Sequence, residues 1–264
     1  MATATSHGIV LHYEVSGSGP AIVLTHSFLC DRSLFKHQVA ALERTHRVIN
    51  IDLRGHGRSG PSESPYSIHD LVDDVVAVLD AEKVASPIWM GLSIGGFLSL
   101  RAALTRPERV RALVLVDTDA GPESAWKKVK YTAMKWGLQT VGPRFVVPAI
   151  MPIMLGRTTL RSRPEIRAEY SRRFLEMRVK SICPGIVAIA GRDNLVGRLG
   201  QIGVPTLVVV GEEDQPLPVW KSRRIANGIA GAELVVIPQA GHLAAIENPG
   251  PVTDAVTRFL SRVS

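Results

Sequence analysis

Ser93 stands between glycines in Gly91-Leu92-Ser93-Ile94-Gly95-Gly96, at the end of the apolar run Ile88 to Leu92 and directly ahead of a helical stretch, Ile94 to Leu104. A chain that turns from strand to helix over so few residues has no room for a side chain at either glycine, and the turn lifts the serine hydroxyl out at the helix N-terminus. There the dipole and the free N–H of Ile94 favour an anion. A serine hydroxyl is a poor nucleophile until a base takes its proton and a third group orients that base. Two later segments supply candidates. Asp214, in Gly211-Glu212-Glu213-Asp214, follows the predicted strand Thr206 to Val210, and His242, in Gly241-His242, follows the predicted strand Glu233 to Ile237. Both would lie at the carboxyl ends of parallel strands, the edge where open α/β sheets place their sites. Asp214 is the last acidic residue before the turn Gln215-Pro216-Leu217-Pro218; Asp117 and Asp119, beyond another strand end, are the alternatives. His7, His12, His37, His46 and His69 read as surface or strand residues, and His56 sits in a glycine turn.

Acyl transfer also needs donors aimed where an oxyanion develops. The N–H of Ile94 is the first candidate. The N–H of Phe28 is the second, in the loop His26-Ser27-Phe28-Leu29 after the predicted strand Ala21 to Thr25. One motif misleads: Gly55-His56-Gly57-Arg58-Ser59-Gly60 satisfies the dinucleotide pattern G-x-G-x-x-G, but Pro61-Ser62-Glu63-Ser64-Pro65 stands where a phosphate-binding helix should begin.

The elements that must hold these residues alternate along the chain. Ile9 to Val15 and Ala21 to Leu24, joined through Gly17-Ser18-Gly19-Pro20, read as a hairpin feeding a buried strand. Val48 to Asp52, Ile88 to Leu92 and Val110 to Val116 are short apolar strands. Ser67 is the expected N-cap of a helix from Ile68 to Leu79, with Leu71, Val72, Val75, Val78 and Leu79 on one face. Continuous apolar strands alternating with amphipathic helices mean a mostly parallel sheet covered on both faces. Between about Gly121 and Gly200 the pattern breaks. Prolines at 143, 148, 152, 164 and 184 are expected to cut that segment into short helices, forming an inserted helical cap (121–200) on a core made of 1–120 and 201–264. Strand and helix then resume, ending in a helix from Val252 to Val263.

Composition narrows the class. The chain has 264 residues, 45% hydrophobic and 21% charged, enough for one globular core. Its first residues, Met1 to His7, form neither a basic nor an apolar leader, and no run reaches about 18 apolar residues, so neither export nor a membrane partner is expected. Cys30 and Cys183 are too few for a disulfide framework and lack metal or redox spacing, which suggests a reducing, cytoplasmic setting and no metal. The net charge of +7 is uneven: residues 121–200 carry 15 Lys and Arg against 5 Asp and Glu, a net +10, and the remainder is at −3. Without aromatic interleaving or zinc spacing this points away from nucleic acid, and toward a solvated face or an anion-attracting rim.

With these residues in place, the chain resembles the α/β-hydrolase superfamily, in the branch of small cap-bearing serine hydrolases that holds esterases and 3-oxoadipate enol-lactonases. The likeness runs through Asp52-Leu-Arg-Gly-His-Gly-Arg-Ser59, Gly91 to Gly96, Arg106 to Val116, Gly211 to Asp214 and Ala240-Gly-His-Leu-Ala-Ala-Ile-Glu-Asn-Pro249. It implies an α/β-hydrolase fold, Ser93 as nucleophile, His242 as general base, Asp214 as orienting acid, Phe28 and Ile94 as oxyanion donors, and a structural turn over Asp52 to Ser59. Relatives usually have His-Gly where this chain has His26-Ser27; the enol-lactonase-like members carry serine there. Haloperoxidase and perhydrolase relatives have proline after the aromatic residue, where this chain has Leu29, and haloalkane dehalogenases have aspartate at the elbow. The expectation is therefore a cofactor-independent hydrolase of small carboxylic esters or lactones, anionic ones included. The rivals are a carbon–carbon bond hydrolase of a ring-cleavage dienoate and a non-catalytic receptor or scaffold. Trp126, Met134, Trp136 and Phe145 are the expected substrate contacts from the cap.

Overall fold

The computed structural model describes residues 2–62 and 64–263; Met1, Glu63 and Ser264, and with them the outer limits of the predicted core, lie outside the described residues. An eight-stranded sheet runs in the order β1-β2-β4-β3-β5-β6-β7-β8, from β1 (Ala2–Ser6), β2 (Ile9–Ser16), β3 (Ala21–Thr25), β4 (Arg47–Ile51), β5 (Ile88–Leu92), β6 (Ala112–Val116), β7 (Thr206–Gly211) and β8 (Glu233–Ile237). From β4 to β8 in that order all pairs are parallel, and β2 is antiparallel to both its neighbours. This is the mostly parallel sheet that the alternation predicts, in the α/β-hydrolase arrangement that the resemblance implies. The central strands β5 and β6 are buried at every position, as strands covered on both faces must be. Fully burying each Val, Leu or Ile there stabilises the fold by roughly 1.5–3 kcal/mol.

The helices that cover the sheet follow from local signals. In α2 (Ile68–Ala81), Ser67 accepts from the N–H of Asp70 while Asp70 reaches back to the N–H of Ser67, a capping box, and Leu71, Val72, Val75, Val78 and Leu79 face inward. The others on the body are α1 (Lys36–Leu42), α3 (Ile94–Thr105), α9 (Val219–Gly228), α10 (Ala244–Glu247) and α11 (Pro249–Val263).

Two local expectations need correction. β2 and β3 are not a hairpin, because β4 lies between them. The turn at Gly17 and Gly19 (φ +70° and +111°) instead packs so closely on the backbone of residues 43–46 that a Cβ at either glycine would overlap a carbonyl. The hairpin is β1–β2, closed by His7 and Gly8, both at positive φ as a two-residue turn of this kind requires. Between β6 and β7 run α4 (Ala125–Thr140), α5 (Pro143–Met154), α6 (Arg157–Ser162), α7 (Pro164–Leu175) and α8 (Val179–Gly191). Pro143 and Pro164 do open helices, at first-turn positions where the missing N–H has no partner to lose. Pro148, Pro152 and Pro184 end nothing: they sit inside α5 and α8.

The two connections to this helical segment are fastened side by side. Leu195 N–H donates to the Ala120 carbonyl at 2.8 Å, and the buried Arg192 guanidinium bonds the Gly121 carbonyl at 3.0 Å and Glu123 at 2.8 Å. None of the helices of the described residues is long and apolar enough to cross a membrane.

Candidate active site

Ser93 occupies the turn between β5 and α3 with φ 57° and ψ −109°, a backbone state that costs on the order of 1–3 kcal/mol for a residue with a side chain. The surroundings hold it there. Its N–H donates to Val116 O at 2.9 Å, and its carbonyl accepts from Thr118 Oγ1 at 2.8 Å and from Phe97 N–H at 2.9 Å. The glycines do what their spacing demands: a Cβ on Gly91 would overlap the Gly95 carbonyl, and one on Gly95 would overlap the Thr25 carbonyl at the end of β3.

The structure brings the three sequence-selected residues into one hydrogen-bonded chain. His242 Nε2 lies 2.9 Å from Ser93 Oγ, and His242 Nδ1 lies 2.9 Å from Asp214 Oδ2. All three are buried. An ionised carboxylate only accepts, so Nδ1 carries the ring proton and Nε2 presents its lone pair to the serine hydroxyl. The other Asp214 oxygen accepts the Leu217 N–H at 2.9 Å, which fixes the carboxylate plane against the imidazole.

Two further carboxylates brace the loops that carry this chain, and sequence reasoning gave neither that role. Asp117, fully buried at the end of β6, accepts from Gly211 N–H (2.7 Å) and Ala244 N–H (3.1 Å), tying the acid-bearing and base-bearing loops together. Burial, then the charge of Asp214 nearby, pushes its carboxyl well above the usual range. Glu247 accepts from Gly241 N–H (3.0 Å), Leu243 N–H (3.1 Å) and Gly156 N–H (2.7 Å), so it holds the His242 turn and the helical segment at once. Burial raises its carboxyl too. Asp119, the other alternative acid, is engaged elsewhere, with Lys221 Nζ and Arg224 Nη2 each at 2.6 Å; burial opposes its ionisation, but those cations keep its carboxyl below the ordinary value. Glu213 is not a bystander, since it accepts from the N–H and the hydroxyl of Thr158 on α6 at 2.8 and 2.6 Å.

Ile94 opens α3, and Phe28 follows β3 in the loop expected to supply the second donor. That loop is pinned by His26, a residue the sequence reading left without a role. Its Nδ1–H donates to Ser27 O at 2.8 Å, and its Nε2 accepts the Leu53 N–H at 3.0 Å. Burial depresses the basicity of the ring, and the neutral tautomer is the form that satisfies both partners. Leu29, next to Phe28, takes the left-handed φ of +67°.

The glycine motif at 55–60 is a turn, not a dinucleotide loop. The Asp52 carboxylate accepts from Arg32 N–H (2.8 Å) and Arg58 N–H (3.0 Å), a Cβ at Gly57 would overlap it, and the next helix starts only at Ile68. A cavity of about 360 Å³ opens beside it, lined by Leu29, His56, Tyr170, Arg172 and Arg178 among others, and its lining includes neither Ser93 nor His242. Burial pushes the His56 imidazole down to about 3.

Three of the four expected contacts from the helical segment stand at the surface. Trp126 and Trp136 are each 67% exposed and Phe145 is 71% exposed, while Met134 is partly buried. A helix packed on one side can bury only one stripe, and in α4 that stripe holds Leu138 and Met134 rather than the tryptophans.

A serine at a strained strand-to-helix turn, hydrogen-bonded to a histidine that is itself bonded to a buried carboxylate, stands at the carboxyl edge of a mostly parallel α/β sheet. The family model described as α/β hydrolase fold matches residues 20–249, and the chain belongs to that family. Its relatives include a protein proposed to be a carbamate hydrolase, RutD of Variovorax paradoxus, 31% identical over 96% of this chain and 97% of the relative. The structure of an esterase from Thermogutta terrifontis superposes with a TM-score of 0.94 at 29% identity, covering 99% of this chain and 98% of the other. The enol-lactonase from Burkholderia xenovorans LB400 superposes with a TM-score of 0.92 at 30% identity, covering 98% and 100%.

Proposed function

We propose that this chain is a serine hydrolase of carboxylic esters or lactones that works through an acyl-enzyme, with the helices of 121–200 forming a cap beside the site. The observation that carries the reading is the continuous hydrogen-bonded chain from Asp214 through His242 to Ser93 at the elbow. In the first half-reaction Ser93 Oγ bonds to the acyl carbon as its proton passes to His242 Nε2, and the carbonyl electron pair moves onto oxygen. The N–H groups of Ile94 and Phe28 receive that oxyanion; one such donor is worth about 10²–10³ in rate. Collapse expels the alcohol oxygen, which takes the proton from Nε2. Water then attacks the acyl carbon with the same base, and the carboxylate leaves as Ser93 Oγ regains its proton. Asp214 stays ionised throughout and stabilises the imidazolium that forms in each half.

The named activities of the esterase and enol-lactonase relatives support the ester and lactone class, and Ser27 in the oxyanion loop supports the lactone within it. The net +10 of residues 121–200 favours anionic substrates. Both cysteines are unpaired and buried, which supports a reducing, cytoplasmic setting. The test is a panel of neutral and carboxylate-bearing esters, lactones, carbamates and dienoates assayed at low and high salt. Esters or lactones should be turned over fastest, with the carboxylate-bearing ones losing kcat/KM as salt rises. Turnover of a dienoate alone, or of a carbamate alone, would replace the assignment.

A further inference from the structure

Helix α4 leaves an apolar stripe uncovered. Trp126, Val129, Ala133 and Trp136 recur at spacings of three, four and three, which puts them on one face, and all four are exposed. The stripe continues through Val141 into Phe145 at the start of α5, where Val146 packs on Gly137. Three exposed aromatic rings on adjoining elements are more than a soluble surface ordinarily leaves open. The charge around them has one sign: Lys127, Lys128, Lys130, Lys135 and Arg144 fall between residues 125 and 147, and no acidic residue does. Lys130 borders one side of the stripe, its Nζ 5.4 Å from the centre of the Trp126 ring, and the exposed Lys128 borders the other.

This pattern selects the partner. In a twofold contact between two copies the patch would meet itself, setting cations against cations with no carboxylate between them. The partner must be anionic. The surface is a helix flank with aromatic side chains standing out of it, not a groove that would receive a peptide. Tryptophan and phenylalanine settle at the headgroup level of a bilayer, and lysine stems lie along apolar surface while their ammonium groups reach phosphates. We infer that the face of α4 and the start of α5 docks on an anionic lipid surface, with Trp126, Trp136 and Phe145 entering the headgroup layer and Lys128 and Lys130 on lipid phosphates. Nothing in this needs a spanning helix. The expectation of no membrane partner came from the lack of a long apolar run, which speaks only to spanning. The docking face is separate from Ser93, so the inference stands or falls independently of the hydrolase assignment.

The test is flotation of the full chain with phosphatidylcholine vesicles, with and without phosphatidylglycerol, followed also by tryptophan emission. The chain should float with the phosphatidylglycerol vesicles and not with phosphatidylcholine alone, its emission should shift to the blue, and added salt should release it. Replacing Lys128 or Lys130 by Gln should weaken partitioning about fivefold each. Trp126→Ser with Trp136→Ser should abolish flotation while circular dichroism remains that of the parent chain. Failure to float with anionic vesicles at low salt would overturn the inference. So would a dimer in solution that the double tryptophan variant dissociates, which would assign the face to a second copy. Binding to soluble polyglutamate without binding to vesicles would assign it to an acidic protein instead.

Discussion

Ser93→Ala is expected to lower kcat/KM for the best ester or lactone by more than about 10³-fold while leaving the thermal unfolding transition in place or raising it slightly. The activity loss follows from removing the only atom that His242 Nε2 is placed to deprotonate, 2.9 Å away. The stability half follows from the bonds that hold the elbow. They are made by the Ser93 backbone, through Val116 O, Thr118 Oγ1 and Phe97 N–H, and none is lost with the hydroxyl. A variant that lost activity only because it unfolded would show a lowered transition. One that kept its activity would move the nucleophile elsewhere.

Asp214→Asn should cost on the order of 10³–10⁴ in kcat, against less than about tenfold for Asp117→Asn. An asparagine at 214 can still accept the Leu217 N–H, but toward His242 it presents a donor. The ring then turns to the tautomer with its proton on Nε2, which cannot take a proton from Ser93. Asparagine at 117 keeps one acceptor oxygen for the two backbone N–H donors and touches neither the imidazole nor the nucleophile. Its signature should be a change in stability with pH. The folded carboxyl of Asp117 is raised by burial and by Asp214, so the protonated form is the one the fold favours. The stability it contributes is complete below the ordinary carboxylate value of about 4 and is lost as pH rises through its folded value. Relative to Asp117→Asn, the parent chain should therefore lose stability as pH rises from about 4 toward neutrality, measured by denaturant unfolding across that range. If Asp117→Asn abolished turnover while Asp214→Asn kept it, the orienting acid would belong to β6.

The places of Ser93, Asp214 and His242 were legible in the sequence because each carries a largely local demand. Gly91 is fixed by a backbone collision within the turn and Gly95 by one with the neighbouring strand β3, and Asp214 and His242 each follow an apolar strand within a few residues. The capping box at Ser67 was half legible for the same reason. What the sequence hid is what depends on distant partners. Glu247 reaches a backbone N–H at Gly156, 91 residues away, and nothing near either residue announces the meeting. Asp117 was visible only as a competing acid, because its two donors come from the end of β7 and the start of α10, which the fold, not the sequence, sets beside it. The wrong hairpin has a related cause. The glycines and proline at 17–20 signal a turn, but a turn does not say whether the strands it joins will pair, and here β4 inserts between them. Helix α1 is seven residues with no side-chain cap, too little periodicity to register. The sequence shows only the type of the aromatic residues of α4; which face of that helix turns inward is set by packing on α5 and α8.

The most direct measurement is the mapping of a fluorophosphonate adduct by mass spectrometry, since such a probe reacts with a serine only where a base and an oxyanion site activate it. The account predicts one adduct per chain, on the peptide that contains Ser93, formed more slowly in competition with a good ester substrate and absent in Ser93→Ala. Labelling that persists in Ser93→Ala, or ester turnover by a chain that the probe never modifies, would contradict it.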